Sequence, residues 1–134
     1  MTRSKRIYLA GPEVFFPATE HQAIVAEKKR LLQENGLEGV DPLDTELALS
    51  ANEAKFRRGH RIYRANRELM DSCQAIIANL TPFRGISADP GTVFEVGYMI
   101  GQGKPAFGFT LESRYYRERA GATELDELGH TIED

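Results

Sequence analysis

One cysteine, no tryptophan and no extended apolar run leave several classes of protein without support. Cys73 alone cannot close an internal disulfide or build a multi-cysteine metal cluster. Its place just before an apolar run suggests a small buried residue, not a nucleophile. No apolar stretch approaches the roughly 20 residues that a membrane span needs. The basic start, Met1 to Arg6, runs straight into a short strand and has no apolar core or cleavage site of a signal peptide. A soluble, cytoplasmic protein with no membrane partner is the expectation. Neither charge sign dominates, with 17 Lys and Arg against 20 Asp and Glu and a net charge of -3. That removes the electrostatic case for a nucleic-acid polymer as partner. His21, His60 and His130 are scattered without ligand spacing, so no metal site and no cofactor is expected. Neither a GxGxxG nor a GxxxxGKS loop occurs. No Ser/His/Asp or Cys/His constellation can be assembled.

What is present reads as one α/β domain over residues 1–134. Arg6 to Ala10 is a short apolar strand stopped by Gly11-Pro12, a turn that brings backbone close to whatever sits at the strand's end. Phe15 and Phe16 follow and are expected to wall a pocket. A helix capped by Thr19 runs to about Asn35, with Ala23, Ala26, Leu31 and Leu32 as its apolar face and Lys28, Lys29 and Arg30 in water. Asn35-Gly36 stops it. Leu37 to Val40 is a second strand, which makes a βαβ unit and a parallel pair. Leu47 to His60 reads as a short helix and a loop. Arg57, Arg58, Arg61 and Arg64 form a basic cluster, either a solvated helix face or a subunit or anion contact.

Ile62 to Ser72 is predicted as a helix with Ile62, Ala65 and Leu69 on one face. Asp71 closes it, against the preference of a helix C-terminus for positive charge, which is a weak pointer to function. Ala75 to Leu80 is a third strand, apolar enough to be covered on both faces. The connection from Thr81 to Asp89 exceeds the usual 2–6 or so residues of such loops, and long loops at strand ends carry function. Ala106 to Phe109 is a fourth strand, and the charged remainder has room for one short helix. The whole predicts a doubly wound, flavodoxin- or Rossmann-like parallel sheet of four to five strands flanked by helices.

The stretch Ser87 to Gly97 holds the chemistry. Asp89 is a good N-cap and Pro90 suits the first helical position. Val93, Val96 and Ile100 recur at helical spacing and predict an inward face. Helical side chains lean toward the N-terminus, so Glu95 points back toward Asp89. Two carboxylates at one helix mouth can do acid–base or nucleophilic work, although Asp-Pro is also ordinary capping. The crevice at the strand ends of a parallel sheet is where such a pair would meet a ligand.

In their order, Ile7-Tyr8-Leu9-Ala10-Gly11-Pro12, Asp71, Asp89-Pro90-Gly91-Thr92 with Glu95 and Gly97, and Gly103-Lys104-Pro105 resemble the nucleoside 2-deoxyribosyltransferase family over about residues 5 to 110. The resemblance implies transfer of a 2-deoxyribosyl group between nucleobases, with 2′-deoxynucleosides and free nucleobases as partners and no cofactor. It implies Glu95 as the nucleophile at C1′, with retention over two displacements. Asp89 would be the acid for the departing base, and Tyr8 would orient Glu95. Asp71, Gly11 and Gly91 would lie beside the substrate, with Phe15 and Phe16 stacking on the base. It also implies a homo-oligomer, a dimer or trimer of dimers, and a C-terminal Asn lent to a neighbouring subunit. Here Asn35, Asn52, Asn66 and Asn79 all lie upstream of any such segment. Three rival readings go with the same residues. One is a 2′-deoxynucleoside 5′-monophosphate N-glycosidase, with Arg57, Arg58 or Ser87 as phosphate donors. Another is a phosphoribohydrolase, matched only at Gly91-Thr92 and Glu95. The third is a non-catalytic nucleotide sensor.

Overall fold

Four short strands pair into one all-parallel sheet in the order β2-β1-β3-β4. They are β1 (Lys5–Ala10), β2 (Leu37–Val40), β3 (Ala75–Asn79) and β4 (Ala106–Phe109). The computed structural model describes residues 3–45, 53–120 and 127–129. His130, the stretch from Leu47 to Asn52 and, in the C-terminal remainder, residues 121–126 and 130–134 lie outside the described residues. The register sets Tyr8 beside Val40 on one side and Ile76 on the other, so β1 is covered at both edges. The helices are α1 (Ala18–Glu34), α2 (Lys55–Asp71), α3 (Pro90–Gly101) and α4 (Tyr116–Ala120), with single-turn 3-10 helices at Pro12–Phe15 and Pro42–Asp44. The order of strands reverses between β1 and β3, and the crevice at their carboxyl ends is the usual ligand position in such sheets.

The core is one cluster: Tyr8, Ala10, Val40, Met70, Cys73, Ile76, Ala78 and Met99. Cys73 is fully buried, and burial pushes its thiol above the ordinary range, so it packs as a small apolar residue. Met99 anchors α3 on this cluster. Burying such a side chain is worth about 1.5–3 kcal/mol. The Asp89 cap, whose carboxylate accepts from the Thr92 amide at 3.0 Å, is worth about 1 kcal/mol. Packing outweighs capping in fixing where α3 lies, while the cap fixes where it starts.

Four local expectations are corrected. The inward stripe of α3 is Thr92, Glu95, Val96 and Met99, whereas Val93 and Ile100 are more than half exposed. Both stripes have helical spacing, and only the position of β1 and β3 beneath the helix selects between them. On α1 the half-buried or buried positions are His21, Ile24, Val25, Lys28, Lys29 and Leu32, while Ala23, Ala26 and Leu31 face water. Lys28 turns inward because Glu13, only 5% exposed, needs a counter-charge, which Lys28 supplies at 2.6 Å. Its methylenes cover apolar surface on the way. Thr19 does not cap α1: Pro17 holds the N-cap position without a side-chain bond. α2 also begins earlier than its apolar spacing suggested, at Lys55; its first turns are mainly polar, and their one large apolar residue, Phe56, is exposed.

The turn after β1 depends on Gly11. A Cβ there would stand 1.9 Å from Glu13 Oε2 and 2.9 Å from Asn79 Cβ. Glu13 cannot swing away cheaply, since its Oε1 also accepts from Asn79 at 2.7 Å. Gly11→Ala is expected to lower stability by roughly 1–3 kcal/mol, read as a shift in the urea midpoint with unchanged slope. The same substitution at Gly59, which has open space around it, is expected to be neutral or stabilising.

Candidate active site

A cavity of about 480 Å³ opens at the carboxyl ends of β1, β2 and β3. Such a volume suits a small-molecule ligand, for which sites run roughly 300–1,000 Å³. Gly11, Val14 and Phe15 reach it from the turn after β1, and Pro42, Leu43 and Thr45 from the turn after β2. Ile62 and Asn66 of α2, with Asp89, Gly91 and Glu95 at the start of α3, complete the lining. The wall is mainly apolar with four polar side chains, Thr45, Asn66, Asp89 and Glu95.

Glu95 is the electrostatic centre. Its carboxyl is pushed up to about 7, first by burial and then by the charges of Asp89 and Asp41, while the Tyr8 hydroxyl pulls the other way. Tyr8 lies fully buried in the middle of the sheet. Burial, and next the charge of Glu95, hold its phenol far above the ordinary range, so it remains a hydroxyl donor. Tyr8 Oη and Glu95 Oε2 are buried without a partner at full hydrogen-bond geometry, although each group acts on the other's ionisation. An unclosed polar pair of this kind is costly and is a mark of a site prepared for chemistry. Asp89 Oδ2 accepts from the Thr92 amide at 3.0 Å and from its hydroxyl at 3.2 Å, which anchors that carboxylate at the cavity edge.

Of the residues singled out in the sequence, the fold brings Glu95, Asp89, Gly11, Gly91 and Phe15 to this cavity, with Tyr8 behind Glu95. Phe15 stacks on Phe83 at 5.5 Å, and the Arg84 guanidinium lies over both rings. This stack joins the turn after β1 to the loop after β3. Phe16 faces elsewhere, into a neighbouring cavity of about 460 Å³ that it lines with His21 and Asp41. Asp71 is not brought to the active cavity. Its carboxylate is exposed and accepts from Tyr98 Oη at 2.7 Å and Gln102 Nε2 at 2.8 Å, fastening the end of α2 to α3. Asn66, one and a half turns earlier on α2, lines the cavity instead. Sequence reading passed over it because an Asn inside an amphipathic helix gives no local signal; its spacing from Ile62 was the available clue. Among the described residues no group of three His, Cys, Asp or Glu could hold a metal ion, and no helix is long and apolar enough to cross a membrane.

The family model described as nucleoside 2-deoxyribosyltransferase matches residues 7–134. The fold is similar to that of a 2-desoxiribosyltransferase from Leishmania mexicana, with a TM-score of 0.74 and 33% identity over 93% of this chain and 77% of that one. It is also similar to a 2-deoxyribosyltransferase from Bacillus psychrosaccharolyticus, at a TM-score of 0.62 and 22% identity, over 82% of this chain and 75% of that one; this likeness speaks for the fold alone. An uncharacterized protein of Schizosaccharomyces pombe is 38% identical over 114 residues, 84% of this chain. The chain spans about half the length of that curated relative, 53%.

The buried carboxylate has a consequence for stability that needs no substrate. Glu95 ionises near 4.5 when unfolded and near 7 when folded, so folding disfavours its charge. Below pH 4.5 both states are neutral and nothing is lost; the penalty grows between 4.5 and 7 and is complete above 7. Glu95→Gln is therefore expected to raise the thermal midpoint at pH 8, by an amount corresponding to roughly 3–3.5 kcal/mol, and to leave it unchanged at pH 4. An equal gain at both pH values would show that Glu95 carries no raised ionisation.

Proposed function

The chain belongs to the nucleoside 2-deoxyribosyltransferase family, and from that premise we propose that it moves a 2-deoxyribosyl group from one nucleobase to another through a covalent ester on Glu95. The observation that carries this reading is a buried carboxylate at about 7 facing a cavity beside a second carboxylate. A carboxylate stripped of water is a better nucleophile than a solvated one, and a value near neutrality keeps about half of it ionised at pH 7. In the first displacement a Glu95 oxygen bonds to C1′ and the C1′–N bond breaks, its electron pair leaving on the base nitrogen. The proton that neutralises the base comes from Asp89 at the cavity edge. In the second, a nitrogen of the incoming base attacks C1′, the ester breaks, and Glu95 regains its charge. The base proton returns to Asp89, so the cycle balances, and two inversions give retention.

Physical chemistry favours this use of the site. Forming the ester removes a buried charge that the fold disfavours, so part of the cost of ionising Glu95 is returned along the reaction. The Tyr8 hydroxyl stands behind Glu95 to fix its orientation and, as a donor, to stabilise its charged form. Phe15, held by Phe83 and Arg84, offers an aromatic face for the base, and Asn66 offers donors and acceptors to base or sugar. Gly11 and Gly91 let backbone approach the substrate. Assembly into a homo-oligomer belongs to this reading. The exposed aromatic patch of Tyr63 and Phe94 on neighbouring α2 and α3 supports it, since contiguous exposed apolar surface marks contacts between chains.

Base exchange is the direct test. Incubation with 2′-deoxyinosine and free adenine is expected to yield 2′-deoxyadenosine with retained configuration, and Glu95→Ala is expected to lower the rate by at least about 10³-fold. A covalent adduct of deoxyribose mass should form on the intact protein without acceptor and be absent in Glu95→Ala. Free deoxyribose without exchange would show water as the acceptor and direct the test to 2′-deoxynucleoside 5′-monophosphates. Unchanged turnover in Glu95→Ala would remove Glu95 from the mechanism.

A further inference from the structure

Beneath the cavity wall lies a buried ionic cluster that the chemistry above does not use. His21, Asp41 and Glu13 are 6%, 4% and 5% exposed. His21 stands in the first turns of α1. Its Nδ1 donates to the Glu13 carbonyl at 2.8 Å, and its Nε2 donates to Asp41 Oδ2 at 3.0 Å. Both ring nitrogens face oxygen atoms, and Nε2 stands at ion-pair distance from the Asp41 carboxylate. Asp41 Oδ2 also accepts from the Leu43 amide at 3.0 Å, and the Asp41 amide donates to Asp44 Oδ2 at 2.9 Å. One histidine thus ties the Pro12–Phe15 turn to the Pro42–Asp44 turn. Those two turns and Thr45 contribute Val14, Phe15, Pro42, Leu43 and Thr45, the wall of the cavity formed by the ends of β1 and β2.

The cluster also acts through charge. Asp41 is one of the groups whose charge opposes ionisation of Glu95, and it acts on Tyr8 in the same sense. The groups acting on Glu95 are Tyr8 from β1, Asp89 at the start of α3 and Asp41 after β2. Around His21, the Glu13 carboxylate is committed to Lys28 of α1 and Asn79 of β3, and Asp44 to Lys29. Asp41 is the carboxylate left for the ring.

We infer that His21 is a positioning residue for the reaction: it locks the two turns that wall the cavity and neutralises Asp41, which would otherwise add an uncompensated negative charge against the Glu95 nucleophile. The inference rests on the reading of Glu95 above and adds a residue that never touches the substrate. A purely structural histidine would be replaceable by any group that restored packing. A charge-compensating one is replaceable only together with Asp41.

The test compares His21→Gln, Asp41→Asn and the double variant, which leaves a neutral pair of similar shape. Two readouts are taken in each. One is the acid limb of kcat/KM for base exchange. The other, independent of turnover, is the pH above which Glu95→Gln gains its full thermal advantage. His21→Gln is expected to move both upward by about half a unit or more, because a nearby like charge is no longer compensated. Asp41→Asn is expected to move both downward, and the double variant to return them to or below the wild-type position. The double variant should still show a raised KM with little change in kcat, since the turns have lost their charged tie. An unmoved midpoint in His21→Gln, or a shift that persists in the double variant, would overturn the inference. Should His21→Gln fail to fold, Asp41→Asn decides: no downward movement would overturn it. Absence of base exchange in the wild type would sink the catalytic reading, while the stability readout would still decide the role of His21.

Discussion

Burial of the Glu95 carboxylate against the Tyr8 phenol is the constraint on which the rest of the structure turns. Tyr8 sits in the centre of a parallel sheet, paired by its backbone to both β2 and β3, and cannot retreat from the helix above it. α3 is pressed onto that sheet by Met99 and Thr92, which lie in register with Glu95 on one stripe. The apolar contacts that make the helix stable are therefore the same contacts that take the carboxylate out of water. The cost appears as a raised ionisation and two unpaired polar atoms, a local loss of stability.

The surrounding charges are arranged in pairs that limit this cost. Asp89 is held by the first-turn donors of α3, Asp41 by His21, and Glu13 by Lys28 and Asn79. Each acid lies at the carboxyl end of a strand or in the turn that follows, where a parallel sheet collects its loops. The result is a ring of hydrogen-bonded carboxyl groups around one that is left without a partner. A buried pair of this kind is weak evidence for stability and better evidence for a fixed geometry. Here it holds the two short turns whose side chains shape the cavity.

The strands were the most legible part of the chain. β2 and β4 coincide with the apolar runs Leu37 to Val40 and Ala106 to Phe109, and β1 and β3 differ by a residue at one end. The start of α3 was equally legible, since Asp89-Pro90 encodes a cap and a first turn in adjacent residues. Less legible were the faces. Apolar residues lie on more than one side of α1 and α3, so periodicity offers two stripes on each; Leu32 and Val96 lie inward as expected, while Ala23, Ala26, Leu31, Val93 and Ile100 turn outward. Lys28 and His21 were read as solvated or unplaced because their partners, Glu13 and Asp41, lie 15 and 20 residues away in sequence.

By itself the sequence determined the order of elements, the parallel α/β class and the placing of Asp89 and Glu95 within two turns of each other. These follow from local propensity, capping and helical rise, which need no knowledge of neighbours. Only the tertiary structure decided that Glu95 is desolvated, that Asn66 and not Asp71 reaches the cavity, that Phe15 and Phe16 part company, and that a buried histidine ties the wall together. Each of these depends on which atoms surround a group after folding. Desolvation and charge compensation are properties of that surrounding, and the chain alone does not carry them.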